Sequence, residues 1–351
     1  MRSATPIDHP QRPSAPSGVE GGAITLRGQP AAEPGRTAKH IYFYRQFGGM
    51  TGGHLKVWHY FNHCLGQTPL SPSIYLEPGS LKDDSNPWAR SPEVILNTWR
   101  PDDADLLFLG GNDWCHLPEP GRKNWPKPVL NLIQSVRHAN PGSELYAHLA
   151  NKAIRICVSQ PVAESILATG RVNGPVFTIP AGLDQSELLP YRIPRAARDV
   201  DVLIAGLKNP AVAGELTRHL EDRGLRIHTL TTRLPREVFL RHLGNSRLAV
   251  FLPAPQEGFF LPPLEGMVLD VQVICPKGEG AASYGRHGEN GLMPAYTPES
   301  LCQAVDRALA MSPGQLEGML ASGRETVSAF TLERERAAFA TILERADALW
   351  T

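Results

Sequence analysis

The chain has 351 residues, 42% of them apolar and 20% charged, and its 35 Lys and Arg balance 35 Asp and Glu. That length suggests two domains, and the lack of a basic excess argues against a protein that wraps nucleic acid. No apolar run approaches the roughly 18–20 residues that span a bilayer, and the N-terminus lacks a secretory pattern. A soluble cytoplasmic protein is therefore expected, with peripheral membrane association left open.

Residues 1–38 are dominated by Pro, Ala, Gly, Ser and Arg. Such a stretch buries too little surface to offset the entropy of ordering, so it reads as a disordered tail, with at most a short strand at 23–26. From His40 the texture changes, and short apolar runs appear at 41–44, 73–76, 105–110, 129–134, 154–159 and 176–180. Helical spacing lies between them. After the glycines at 52–53, Trp58, Phe61 and Leu65 recur at i, i+3 and i+7. Further on, Ser159, Pro161 and Gly170 suit the cap, first turn and stop of a second helix.

A polar, Pro- and Arg-rich link at 184–199 precedes a second series. Strands are expected at 200–206, 225–230, 247–253 and 271–276, with helices near 211–223, 235–243 and 262–269 between them. Helices at 298–310 and 332–350 close the chain. Runs that are apolar on both faces and alternate with helices imply parallel sheets covered on both sides. The expected architecture is α/β: two Rossmann-like doubly wound domains whose strand ends face a central cleft. The expected boundaries are a tail at 1–38, an acceptor domain at 39–185, a linker at 186–199, a nucleotide-sugar domain at 200–328 and a last helix at 329–351 packing back on the first domain. The five cysteines, Cys64, Cys115, Cys157, Cys275 and Cys302, form no CxxC and read as reduced, buried thiols.

The most informative stretch is PAPQEGFFLPPLEGMVLDVQVICP at 253–276. A turn that ends a strand and opens a helix presents backbone N–H groups, here those of about Gly258 to Leu261, and these bind anions such as a diphosphate. Glu257 stands at the rim of the turn, and Glu265 about one turn inside the helix, where a carboxylate can accept bonds from a vicinal diol. The bland alternative is a capping Glu257 and a solvated Glu265. A second glycine cluster, Gly48, Gly49, Gly52 and Gly53, lets backbone approach a ligand closely just before an amphipathic helix.

EGFFLPPLEGM followed by VQVICP resembles the donor-sugar signature of glycosyltransferase family 4, retaining enzymes with two Rossmann-like domains (the GT-B fold). Both glutamates match; Phe260 stands where that family has a second glycine, and Gly266 where it has alanine. GENGLM (288–293), the glycine loop and IPAGLD (179–184) are similar to further family segments. The resemblance implies transfer of a sugar from a nucleoside diphosphate sugar to an acceptor hydroxyl, with retention and without a metal or resident cofactor. It assigns the catalytic role to Glu257 and donor binding to Glu265, Gly258, Phe259, Lys208, Gly52 and Gly53. Gln134, Ser135, Arg137, Asp113 and Trp114, with Trp125 as a further wall, are candidates for donor-sugar or acceptor contact, and His138 reads as a loop histidine or a ligand. The sequence departs from the family after the first strand of the second domain. The usual Arg–Lys pair is missing, Lys208 reads as a phosphate contact or an exposed loop lysine, and Arg233 and Arg286 are substitutes without a place. His54, His59 and His63 share one helix without a common face, so a metal site there is disfavoured. An inactive scaffold or binding subunit, or a nucleotide-sugar epimerase or hydrolase, remains as an alternative. The base, sugar and acceptor are open; a glycan, a lipid-linked acceptor or a small molecule all suit.

Overall fold

The computed structural model describes residues 39–65 and 70–351, so the expectations for 1–38 lie outside the described residues. The first series builds β1 (Lys39–Arg45), α1 (Gly52–Leu65), β2 (Leu70–Leu76), β3 (Leu106–Gly110), β4 (Val129–Ile133), α2 (Glu144–Ala147), β5 (Ile154–Cys157), α3 (Gln160–Leu167) and β6 (Val176–Thr178), and the chain then passes into α4 (Gln185–Leu188), whose Leu188 packs in the core of the second unit. Its strands form one parallel sheet in the order β2-β1-β3-β4-β5-β6. Every residue of β3, β4 and β5 is buried, which is why those runs are apolar without alternation. Pro72 sits in the edge strand β2, where a missing N–H is best tolerated.

The second series builds β7 (Val200–Ala205), α5 (Pro210–Glu221), β8 (Ile227–Leu230), α6 (Arg236–Gly244), β9 (Ser246–Phe251), α7 (Leu261–Val268), β10 (Gln272–Ile274), α8 (Glu279–Ala282) and α9 (Pro298–Leu309). Its parallel sheet has the order β10-β9-β7-β8. In each sheet the order reverses beside the first strand, between β1 and β3 and between β7 and β9. In open α/β sheets, ligands bind in the crevice outside the strand ends at such reversals.

Three helices complete the chain: α10 (Pro313–Ser328), α11 (Leu332–Glu344) and α12 (Ala346–Trp350). α10 falls between the two closing helices expected at 298–310 and 332–350, in a stretch for which no helix is expected. Yet Ser312 and Gln315 form a capping box there, and Met319, Gly323, Thr326 and Val327 make its buried stripe. The single helix expected at 332–350 is broken at Arg345. Phe339, Ile342, Ala346 and Trp350 belong to the core around the first sheet, although they follow the whole second sheet in sequence. Lys152 lies 4.7 Å from the Trp350 ring centre, and Lys39 pairs with Asp347.

The chain crosses between the two units twice, and the crossings run side by side. Leu183 and Thr331 form a parallel bridge, with Leu183 N donating to Phe330 O at 3.0 Å and Leu332 N to Leu183 O at 3.3 Å. A Cβ on Gly182 would stand 2.5 Å from Thr331 O, so only glycine permits this approach.

Four cysteines are buried, but Cys115 is exposed, which corrects the expectation of five buried thiols. It lies in the turn after β3, outside either sheet. No helix of the described residues is long and apolar enough to cross a membrane.

Candidate functional site

The two units meet where their strand ends face each other. The turn after β9 carries Glu257 and Gly258 and docks on the end of β4. Ser135 and Glu257 form an isolated antiparallel bridge, and Ser135 Oγ donates to Gln256 O at 2.8 Å. Ser159, the N-cap of α3, donates its hydroxyl to Gly258 O at 2.7 Å. Gly258 is thus buried under the first unit. This corrects the expectation that its backbone faces a diphosphate. Phe260 N–H is also taken, by Gly280 O at 2.9 Å, and Pro262 and Pro263 carry no N–H, so the first turn of α7 is a poor anion cradle. Phe259 packs at the seam against Tyr284 and Phe330.

The polar side chains of the second unit come from three adjacent strand ends. Lys208 follows β7, Arg233 follows β8 and Glu257 follows β9. Lys208 and Glu257 form an ion pair. Glu257 is therefore not a simple helix cap, since α7 starts at Leu261 with Phe260 as its N-cap and no side-chain cap bond. Arg233 is exposed and forms no ion pair among the described residues. Arg286, the other substitute, is already held by Glu289 at 2.8 Å.

Glu265 lies one turn inside α7, as expected, but it is not solvated: only 2% of its surface is exposed. Its Oε1 accepts from Arg236 Nη1 at 2.7 Å, and Arg236 also reaches Glu187 at 2.8 Å. Burial alone would lower the guanidinium's pKa, yet the two carboxylates hold it above the ordinary arginine range. Arg236 opens α6 just after β8, 29 positions before Glu265 in the chain.

The first unit contributes the glycine loop. Thr51 caps α1, with His54 N donating to Thr51 Oγ1 at 3.2 Å, while the amides of Gly52 and Gly53 have no acceptor among the described residues. Gln134 Nε2 donates to Gly53 O at 3.3 Å, which ties this loop to the same strand end that receives Gly258. A Cβ on Gly49, whose φ is +109°, would lie 3.9 Å from Arg233 Nη1, so Arg233 reaches across to the loop. His54 stands beside them. Burial, then the nearby Arg45 and Arg233, push it down to about 4, so it is neutral at pH 7.

Around these groups the sequence candidates divide. Asp113 is buried and holds Arg45, whose Nη1 lies 2.9 and 3.1 Å from its two oxygens, and it accepts from Gly110 N at 2.8 Å. Burial lifts the Asp113 carboxyl above its usual range, against the pull of Arg45. Asp113 therefore orients an arginine at the end of β1, a role and a partner that the sequence reading missed. Trp114 has no exposed surface and stacks near His148, and Trp125 is buried too, so neither presents a face to an acceptor. That corrects the expected aromatic wall. Large rings beside a strand end serve core packing as readily as sugar stacking, and here packing takes them. Arg137 is exposed on the turn after β4, whereas His138 beside it is buried. His59 and His63 point into the interior beside Lys56, away from His54's surroundings.

A cavity of about 260 Å³ opens elsewhere, between β6 and the last two helices, lined by Phe177, Ile179, Ala338, Ile342 and Leu349. It carries no carboxylate and lies away from these strand ends.

No protein-family model matches the sequence, and no curated protein is recognisably similar to it in sequence. Similarity appears in three dimensions. Sucrose-phosphate synthase from Thermosynechococcus elongatus superposes with a TM-score of 0.65 at 16% identity, covering 88% of this chain and 99% of that one. Anabaena HepE in complex with UDP-glucose gives 0.64 at 15%, covering 87% and 99%. An α,α-trehalose-phosphate synthase (UDP-forming) from Burkholderia vietnamiensis gives 0.62 at 13%, covering 89% and 99%. The two parallel sheets and their order thus form the two-domain fold of these glycosyltransferases, the GT-B fold.

Proposed function

We propose that this protein transfers a hexosyl group from a nucleoside diphosphate sugar to an acceptor hydroxyl, with retention of anomeric configuration. The observation that carries this reading is the meeting of Lys208, Glu257 and Arg233 at three adjacent strand ends with the glycine loop and Gln134 of the opposite unit. One side is cationic enough to hold a diphosphate, and the other brings backbone amides close to it. HepE, with the same fold, is a UDP-glucose complex, which makes UDP the first donor nucleotide to test.

In this reading the second unit binds the nucleotide. Glu265, steadied by Arg236, offers its second oxygen to the ribose. Arg233 and Lys208 neutralise the diphosphate, Arg233 standing in for the missing Arg–Lys pair. When Lys208 turns to phosphate, Glu257 is released to the donor sugar, where it steadies positive charge at the anomeric carbon. The anomeric C–O bond breaks, the acceptor oxygen bonds to the same face of that carbon, and its proton passes to the departing phosphate oxygen. Catalysis is chiefly positioning and charge stabilisation.

Calorimetric titration with UDP, GDP and dTDP, followed by incubation of the matching nucleotide sugars with host lysate, tests the proposal. Binding of one nucleotide and sugar transfer support it. Binding without transfer marks an inactive scaffold, and an epimerised or free sugar without an acceptor marks an epimerase or hydrolase. No binding at all removes the donor reading.

A further inference from the structure

Four ionisable side chains lie buried together away from the strand ends: Lys56, His59 and His63 on α1, and Glu335 in the first turn of α11. The side chains of Lys56 and Glu335 are 3% and 0% exposed. The Lys56 ammonium uses all three donors, on Glu335, on Gly182 O at 3.1 Å and on His59 Nδ1 at 3.0 Å. Glu335 accepts from Lys56 and from Gly182 N with one oxygen, and meets His63 Nε2 at 3.0 Å with the other. Burial would raise the Glu335 carboxyl, but Lys56 and His63 outweigh it and hold it below the usual carboxylate range.

Both chain crossings are gripped by this one cluster. Gly182 is on the outgoing crossing, and Glu335 lies four residues past Thr331 on the returning one. The helix that grips them opens with Gly52 and Gly53, about one turn from Lys56. Leu55, beside Lys56, is in the core of the second unit, whereas Val57 is in that of the first. Stability does not explain a lysine here, because a buried ion pair is often no better than apolar side chains of the same volume. What an ammonium with three fixed acceptors adds is a single geometry.

We infer that Lys56 and Glu335 are the pivot of the molecule: positioning residues that lock α1 to both crossings, so that the second unit closes on the glycine loop along one path. The inference rests on the proposed transfer only for its effect on rate. The double substitution Lys56→Met with Glu335→Gln removes both charges together and leaves no unpaired ion. The variant is expected to melt cooperatively and to bind UDP within about threefold of wild type. Small-angle scattering should show a larger radius of gyration, and the Leu183 and Leu332 amides should exchange at least tenfold faster. Transfer should fall at least tenfold in kcat, with little change in donor KM. Glu335→Asp, which keeps the charge but withdraws it by one methylene, should show the same changes in weaker form and serves if the double variant does not fold. Wild-type scattering, exchange and kcat in a folded variant overturn the inference. If wild type transfers no sugar, the functional reading falls, and scattering and exchange alone decide the pivot.

Discussion

Gly258 of the second unit lies directly beneath the Gln134 carbonyl of the first: a Cβ there would stand 2.3 Å from that oxygen and 2.8 Å from Val162 Cγ2. The glutamate turn is thereby a docking surface between the units. Gly258→Ala must push them apart, since overpacking of this kind typically costs about 1–3 kcal/mol. UDP affinity should stay within about twofold, because the second sheet is untouched, while transfer falls at least tenfold. An alanine variant that transfers sugar at the wild-type rate shows that this contact is not part of the working conformation.

In the proposed reading, Glu257→Ala separates the sugar contact from the nucleotide site. Lys208 loses its ion-pair partner and becomes free for phosphate, so UDP should bind as tightly as to wild type or a few-fold tighter. Transfer should nevertheless be nearly abolished, the pattern of an interaction made mainly in the transition state. Titration and initial rates on the same preparation check both parts. Retained transfer removes Glu257 from catalysis.

In the proposed reading, Glu265→Gln acts on fold and site together. The sequence alone predicts a loss of nucleotide affinity with the fold intact. The Arg236 contact adds a stability cost, because removing one partner of a buried pair typically costs about 3–5 kcal/mol. Glu187 still holds Arg236, which should keep the loss toward the low end. A lower Tm and, well below it, a UDP affinity reduced about tenfold are expected. A lower Tm with unchanged affinity assigns Glu265 to structure only.

Acid should destabilise the protein through His138. Burial, then His148, Arg155 and Arg137, push its pKa from 6.5 down to about 3. The folded state therefore takes up its proton later than the unfolded state does. Stability is complete above about pH 6.5 and is lost as pH falls from there toward 3, by about 1.4 kcal/mol per pH unit from this group. Urea unfolding at pH 7, 5.5 and 4.5 should show the decline, and His138→Gln should make it shallower without removing it, because His54, His59 and His63 are also held below the usual histidine range by burial. An unchanged slope in the variant places the sensitivity elsewhere.

The sheets were legible because burial on both faces leaves continuous apolar runs, as in β3 and β4. The glutamates were placed correctly along the chain, since Pro262 and Pro263 open a helix that puts Glu265 one turn in. Their partners were not legible. Lys208 meets Glu257 across 49 positions and Arg236 meets Glu265 across 29, distances over which local periodicity carries no information. Gly258 read as a ligand contact because a glycine is equally needed wherever backbone meets ligand or backbone meets backbone. Trp114 failed similarly, its size suiting a core as well as a sugar.

The placement of Phe339, Ile342 and Trp350 has a consequence for how the chain comes to fold. During synthesis the six strands of the first sheet emerge early, yet part of their apolar cover is made only after the entire second sheet. Chains usually fold domain by domain from the N-terminal side as they emerge. Here the earlier unit must wait, with uncovered apolar surface, for residues made about 160–170 positions after β6. The later unit can complete its core first, and assembly of the earlier one then depends on α11 and α12 swinging back. Unfinished chains should thus be caught by chaperones through the first unit rather than the second.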